Sequence, residues 1–424
     1  MTGAGRPGWR PGTTEPAGGA LPGVRVVLDA RPLQDPDRAP LTAAYLEGLL
    51  GALDANPRPG ESFSFLLASD RDDLTDRWPN LRVVGRRLLP PTRLLRSGSL
   101  TVDPILLRGA SLGAGWRAAR GGAAGTVYHA AAGALPIGSR IPVVAALLDL
   151  APWQLADAYQ RGTAARFGQR LRARLLRDAA AVVVPSRVAA GEARRLLHLR
   201  ASRLRVVPLA PRPAFRPAAA AAAAQERERL GLGDRYAVYA GRFDARQDLA
   251  TLLAALGILA AEASPAGVDA WPPRICLIGA SPDDRASLSR AAARAGVGDA
   301  LAYAPGLPEA RLAALVAGAR FLVQPVRSDA SGLTAMDAIA AGVPVVASAV
   351  GALPEVVGAA GILVEPGDPG RLATAMRAAW TDETLHRSLV AAALERSDSR
   401  RTWAEVAEDT RSLWAEVAGR APLL

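Results

Sequence analysis

Residues with the types and spacing to act on a charged substrate fall in two stretches of the chain. The first spans 321–355 and reads FLVQPVRSDASGLTAMDAIAAGVPVVASAVGALPE. A mostly apolar run at 321–326 predicts a buried strand. A polar loop follows at 327–332. Residues 333–341 have helical composition, with Gly342 placed just beyond the helix end. A second strand is predicted at 343–348, with Pro344 near its start, where a missing N–H is tolerated. Ser331 and Gly332 open the helix, so N–H groups free to face a phosphate are expected there, with Leu333 beside them. Asp329 and Asp337 supply two carboxylates eight positions apart; one can meet a sugar while the other meets a ribose. In the second stretch, an apolar run from Tyr236 enters a turn at Gly241-Arg242, followed by Arg246 and Gln247. A guanidinium is well shaped for bidentate contact with phosphate, so Arg242 and Arg246 can pair with one.

The elements that must position these groups alternate between strands and helices. Strand, loop, helix, strand is the unit of a doubly wound parallel sheet, whose ligands bind at the carboxyl ends of the strands. Further strands are expected at 24–30, 62–68, 81–84, 126–129, 141–150, 180–185, 204–209, 274–279 and 301–308. Amphipathic or Arg-rich helices are expected at 41–55 and 161–177, and Ser186 is placed as an N-cap. The fold class is therefore α/β. The expected organisation is a disordered tail at 1–22, a first Rossmann-like domain at 23–212, a linker at 213–233, a second Rossmann-like domain at 234–400 and a terminal helix within 401–424. Residues 86–120 read least clearly; a helix and loops over the first sheet are expected. Gly113 to Ala118 formally fit G-x-G-x-x-A, but no clear strand feeds them, which discounts a dinucleotide site.

Composition narrows the class. The chain has 424 residues, 51 basic and 40 acidic, for a net charge of +11; every basic residue is Arg. The absence of Lys reads as a coding bias, which weakens the charge as a sign of a polyanion partner. Neither a basic patch with interleaved aromatics nor a known nucleic-acid module stands out, so no nucleic-acid partner is expected. The charge is compatible with peripheral contact to anionic lipid. The single Cys276 lies in a strand-like run and reads as a small buried hydrophobe, and one Cys excludes internal disulfides. Three His make a His-rich metal site unexpected. The N-terminus has no apolar core of the signal-peptide kind, and no uncharged apolar run of about 18 residues is present, so a cytoplasmic protein, peripheral at most to the inner face of a membrane, is expected.

The two stretches resemble the retaining glycosyltransferases of family four, on the GT-B fold of two Rossmann-like domains facing across a cleft. The family's pattern stands here as Asp329, Gly332-Leu333, Asp337-Ala338 and Ala341-Gly342-Val343-Pro344-Val345, then Leu353-Pro354-Glu355. The resemblance implies transfer of a sugar from a nucleoside-diphosphate sugar to an acceptor hydroxyl, with no cofactor and no metal. It implies that Arg242, with Arg246, holds the leaving diphosphate, that Asp329 contacts sugar hydroxyls near the reacting carbon, and that Asp337 binds the ribose. It places a base-cradling loop at Ala304-Pro305-Gly306, and an acceptor cleft at Leu148 and Asp149; His129, at an earlier strand end, is a further candidate to line that cleft, although a lone His is more often structural. The chain departs from the family at four places. Asp stands for the usual Glu at 329 and 337, Gln247 for Lys, and Leu148 for the His of a His-Asp-Leu pattern. In addition, the first strand-to-helix loop, 35–40, has no Gly, though Arg38 can supply charge. These departures leave a second reading: a catalytically degenerate relative that binds a sugar nucleotide or scaffolds a glycan-building complex.

Overall fold

The computed structural model describes residues 23–92, 99–120, 125–131, 133–268 and 270–419. The tail expected at 1–22 lies outside them. Two parallel sheets organise the chain. The first has β1 (Arg25–Asp29), β2 (Ser62–Ala68), β3 (Val83–Leu89), β4 (Thr126–Ala130), β5 (Val143–Ala146), β6 (Ala181–Val184) and β7 (Leu204–Val206), in the order β3-β2-β1-β4-β5-β6-β7. The second has β8 (Ala237–Ala240), β9 (Ile275–Ile278), β10 (Leu301–Ala304), β11 (Leu322–Gln324), β12 (Val345–Ser348) and β13 (Gly361–Val364), in the order β10-β9-β8-β11-β12-β13. The strands are short and fully apolar in the middle of each sheet, as in AVVV at β6 and ICLI at β9. Helices cover both faces, so both sides of each strand are buried and the run is continuous rather than alternating. Cys276 is buried within β9, as its apolar surroundings predict.

Each sheet reverses its strand order once, between β1 and β4 in the first and between β8 and β11 in the second. Such switch points leave a crevice outside the carboxyl ends of the two strands. The loops bearing Arg242, Arg246 and Asp329 leave β8 and β11, so they flank the second crevice.

The terminal helix Trp403–Gly419 returns to the first domain. Trp403, Val406, Leu413 and Trp414 pack into the core beneath the first sheet, against the helix Pro40–Ala55. Gly48 makes room for this: a Cβ there would lie 2.2 Å from the Trp403 ring. Trp403 Nε1 donates to the Pro211 carbonyl at 3.0 Å, and Arg411 pairs with Glu61 at 2.8 Å.

The described residues of the region at 86–120 include the end of β3 and the helix Ser99–Arg120, and 93–98 lie outside them. The G-x-G-x-x-A match lies inside that helix rather than in a loop after a strand, so no phosphate-approaching turn forms there. Ser186 caps the helix Arg187–Leu197, its Oγ accepting from Ala189 N at 3.0 Å. Gly342 follows the helix Leu333–Ala340 with φ +80°, the left-handed conformation that glycine adopts freely.

Candidate functional site

The two loops at the second crevice run side by side. Gln247 bridges Val326 in antiparallel fashion, Arg327 N donates to Arg246 O at 2.7 Å, and Asp248 N donates to Pro325 O at 2.8 Å. This pairing sets Arg246 beside the turn that carries Asp329. Three of its guanidinium nitrogens are engaged: Nε and Nη2 donate to Asp244 at 3.1 and 2.7 Å, and Nη1 donates to Asp149 Oδ2 at 2.9 Å. Asp149 belongs to the first domain, so this ion pair spans the cleft. Burial costs the Arg246 cation solvation, but its two carboxylate partners outweigh that and raise its pKa. Asp244 is held below the ordinary carboxylate range: burial raises it, and Arg246 more than compensates.

Arg242 also crosses the cleft. Its Nη1 donates to the Arg38 carbonyl at 2.8 Å, and its Nε lies 3.5 Å from Asp244. Its side chain is 42% exposed, so it is the more open of the two arginines. Gly241 is exposed beside it. Gln247 takes the place of a cation here, and its Oε1 is buried with no hydrogen-bond partner.

Asp329 caps its own loop. Oδ1 accepts from Ser331 N at 3.0 Å and Gly332 N at 2.7 Å, and Oδ2 accepts from Gln324 Nε2 at 2.7 Å. The expectation that Ser331 and Gly332 offer free N–H groups to a phosphate is therefore corrected. A carboxylate two residues upstream satisfies both donors first. Leu333 N reaches Ser331 Oγ at 3.3 Å, and the helical ladder begins with Met336 N to Gly332 O at 2.8 Å. The Thr334 and Ala335 N–H groups thus stand ahead of the ladder. Burial raises the Asp329 pKa, against the pull of the two N–H groups. Gly351, with φ +55°, lets this turn form, since a Cβ there would fall 1.7 Å from Asp329 O.

Asp337 lies one helical turn further in and is 1% exposed. Oδ1 accepts from Arg212 N at 2.8 Å, and Oδ2 accepts from Arg212 Nε at 2.9 Å and pairs with Nη2 at 2.8 Å. Burial pushes its pKa up to about 6, despite Arg212. In this conformation the carboxylate faces Arg212, at the end of the first domain, rather than an open crevice. The loop after β10 ends close by: Ala304 is buried, Pro305 and Gly306 are exposed, and Glu309 lies 3.9 Å from Arg212.

Of the three acceptor-cleft residues, two belong elsewhere. His129 is fully buried between the first sheet and the terminal helix. Trp414 Nε1 donates to its Nδ1 at 3.2 Å, which leaves Nε2 as the protonated nitrogen, 3.1 Å from Tyr45 OH. Burial drops its pKa to about 4, so it is a neutral core residue. Leu148 is 3% exposed in the same core. Asp149 alone faces the cleft, where it binds Arg246 and accepts from Ala151 N at 2.9 Å.

A cavity of about 620 Å³ opens at the switch point of the first sheet. Arg31, Arg38, Arg71, Thr92, Asp103 and Tyr159 are among its lining residues. Arg31 forms its floor, paired with Asp29 at 2.7 Å and Asp103 at 3.1 Å. Tyr159 links this cavity to the cleft arginines: burial pushes its hydroxyl up to about 12, and Arg246, Asp244 and Asp149 all lie close enough to act on it. The loop expected to supply charge does touch the site, through the Arg38 carbonyl on Arg242. Sequence reasoning missed Arg212, Asp244, Tyr159 and Gly351. Only Asp244, two residues before Arg246, carried a local signal, as a carboxylate able to fold back on its neighbour.

Other contacts join the same walls. Ser186 Oγ donates to Ala330 O at 2.9 Å, Val188 N donates to Glu355 Oε1 at 3.0 Å, and Ser328 Oγ donates to Gln154 Oε1. Among the described residues, no helix is long and apolar enough to cross a membrane.

Two facing Rossmann-like domains with a terminal helix returning to the first define the GT-B fold. Solved structures of that fold superpose over nearly the whole chain. Sucrose-phosphate synthase from Thermosynechococcus elongatus gives a TM-score of 0.67 at 20% identity, covering 93% of this chain and 99% of that one. HepE of Anabaena, solved in complex with UDP, gives 0.65 at 18% identity, covering 92% and 99%. WaaG, a glycosyltransferase involved in lipopolysaccharide biosynthesis, gives 0.63 at 14%, covering 92% and 99%. Residues 234–382, most of the second domain, match the family described as glycosyl transferases group 1. The D-inositol 3-phosphate glycosyltransferase 1 of Catenulispora acidiphila is 38% identical over 120 residues, 28% of each chain. The D-inositol 3-phosphate glycosyltransferase of Streptomyces avermitilis is 32% identical over 189 residues, 43% of this chain and 40% of that protein. These matches span less than half the length of either relative.

Proposed function

We propose that the protein transfers a sugar, a hexose in the first instance, from a nucleoside-diphosphate sugar to an acceptor hydroxyl, with retention at the anomeric carbon. The observation that carries this reading is the convergence of Arg242, Arg246 and the start of the helix Leu333–Ala340 at one crevice, opposite the cavity of the first domain. In transfer, the bond from the anomeric carbon to the diphosphate breaks, and its electron pair goes to the leaving phosphate oxygen. The acceptor oxygen forms the new bond and gives up its proton. The developing negative charge would meet Arg242, Arg246 and the Thr334 N–H group, which serves the leaving group without a metal. Asp329, fixed by three hydrogen bonds, would present its remaining lone pairs to sugar hydroxyls. Asp337 would take the ribose once Arg212 yields, near the loop at Ala304 to Gly306 that would cradle the base. The cavity beside Tyr159 would hold the acceptor. UDP is the first nucleotide to try, because similar folds have been solved with it. A phosphorylated polyol is the first acceptor, from the names of the relatives.

The test is a turnover assay with a panel of nucleotide sugars, following nucleotide release and the anomeric proton of the product by NMR. Transfer with an unchanged anomeric configuration supports the reading. Tight donor binding without release or transfer for any acceptor would instead favour the degenerate binder.

A further inference from the structure

We infer that the outer surface formed by the helices Ser99–Arg120 and Thr163–Asp178 docks on an anionic lipid bilayer and so brings the cavity of the first domain to the membrane interface. This deepens the transferase reading, since it says where the acceptor would be met. The two helices pack together, and Gly168 is what lets them approach: a Cβ there would lie 2.8 Å from Leu100 Cβ. Among the described side chains, Ile105 is exposed on the first at 65% and Phe167 on the second at 60%. Arginines accompany them. The second helix, TAARFGQRLRARLLRD, carries five arginines against one aspartate. Arg166, Arg170 and Arg174 sit one helical turn apart on its exposed side, with Phe167 among them, and Arg108 is exposed one turn beyond Ile105. Among the described residues, none of these four arginines pairs with a carboxylate.

The shape argues for lipid over protein. A stable protein interface needs a contiguous apolar centre that excludes water. Among the described side chains, Ile105 and Phe167 stand on different helices, with Arg108 one turn from the first and Arg166, Arg170 and Arg174 about the second. A fluid headgroup layer closes around such a surface, taking the apolar tips below the phosphates while the arginines pair with them. The location supports the same partner. Leu100 and Asp103 of the first helix line the cavity, so the docking surface and the cavity share one wall.

The experiment is co-sedimentation of the full chain with vesicles of equimolar phosphatidylcholine and phosphatidylglycerol, against pure phosphatidylcholine. The wild type should partition onto the anionic vesicles only, and high salt should release it. The triple variant Arg166→Gln, Arg170→Gln, Arg174→Gln should lose about 100-fold in partitioning, and Phe167→Ser should lose about 10-fold. A control triple on the second domain (Arg290→Gln, Arg294→Gln, Arg371→Gln) should bind as the wild type does. No binding to anionic vesicles, equal binding to neutral ones, or equal loss in the control would each overturn the inference. Donor calorimetry on the same preparations separates this from the function reading. Donor binding without vesicle binding sinks the docking surface alone; vesicle binding without donor binding sinks the transferase alone.

Discussion

Arg246 Nη1 stands 2.9 Å from Asp149 Oδ2, a charge-assisted bond between side chains 97 positions apart that joins the two domains across the cleft. Asp244 holds the same guanidinium from the other side at 2.7 Å. A cation placed to bind a diphosphate is thus already neutralised by two carboxylates. Replacing Asp149 with Ala should leave Arg246 positioned by Asp244 and raise the local positive potential. Nucleoside diphosphate affinity should tighten by about fivefold, on the order of 1 kcal/mol, and become more sensitive to salt. Calorimetry at two ionic strengths reads this. Weaker binding in the variant would show that Asp149 positions the guanidinium instead of competing for it.

The Asp337 carboxyl has a pKa near 6 in the folded chain, against an ordinary value of 3.8. Between those values the folded state binds more protons than the unfolded state, so this group's contribution falls as pH rises through the window. The change is on the order of 3 kcal/mol. Arg212→Ala removes the interaction that holds the pKa down, so donor binding that needs the ionised carboxylate should shift to higher pH in that variant. A pH titration of donor affinity would show the shift; an unchanged midpoint would remove Asp337 from the ribose contact.

His129 acts in the opposite sense. Its folded pKa is about 4 against 6.5 when free. The unfolded state takes up the proton first, so stability is lost as pH falls from 6.5 toward 4, again by roughly 3 kcal/mol. The two groups oppose each other over nearly the same range. Urea melts across it should therefore tilt in opposite directions for two variants. His129→Gln should lose stability as pH rises, and Asp337→Asn should lose it as pH falls. Parallel slopes would contradict the assignments.

Gly351→Ala should be severe. The new Cβ falls 1.7 Å from Asp329 O, and the residue sits at φ +55°. Roughly 2–3 kcal/mol of stability should be lost through strain and displacement of the turn. Donor binding should fall with it, because Asp329 moves. Chemical denaturation and calorimetry of the same variant check both halves.

The sheets and the cleft arginines were legible from sequence, and the side-chain pairings were not. Strands such as Ile275–Ile278 announce themselves because both faces are buried, and the turn at Gly241-Arg242 follows such a strand directly. Asp329 was legible as a loop carboxylate, but its capping of the Ser331 and Gly332 N–H groups was not, and those donors were expected to stay free for a phosphate. Asp337 and Arg212 are 125 positions apart, and nothing local joins a helix interior to the end of the other domain. His129 sits near the end of a strand whose ends face the cleft. Its side chain points to the layer beneath, and only the return of Trp414 from the terminal helix reveals why. Leu148 behaves as its side chain dictates and joins the core.

The most direct test of the account is calorimetric titration of UDP, then of the other nucleoside diphosphates, into the wild type and into Arg242→Ala. Arg242 is the more open cation of the cleft and its side chain has no role in either core. One nucleotide should bind the wild type, and the variant should bind it about 30-fold more weakly or worse, the loss of a charge-assisted contact, with an unchanged denaturation midpoint. Binding of no nucleotide, or equal binding to both proteins, would contradict the account.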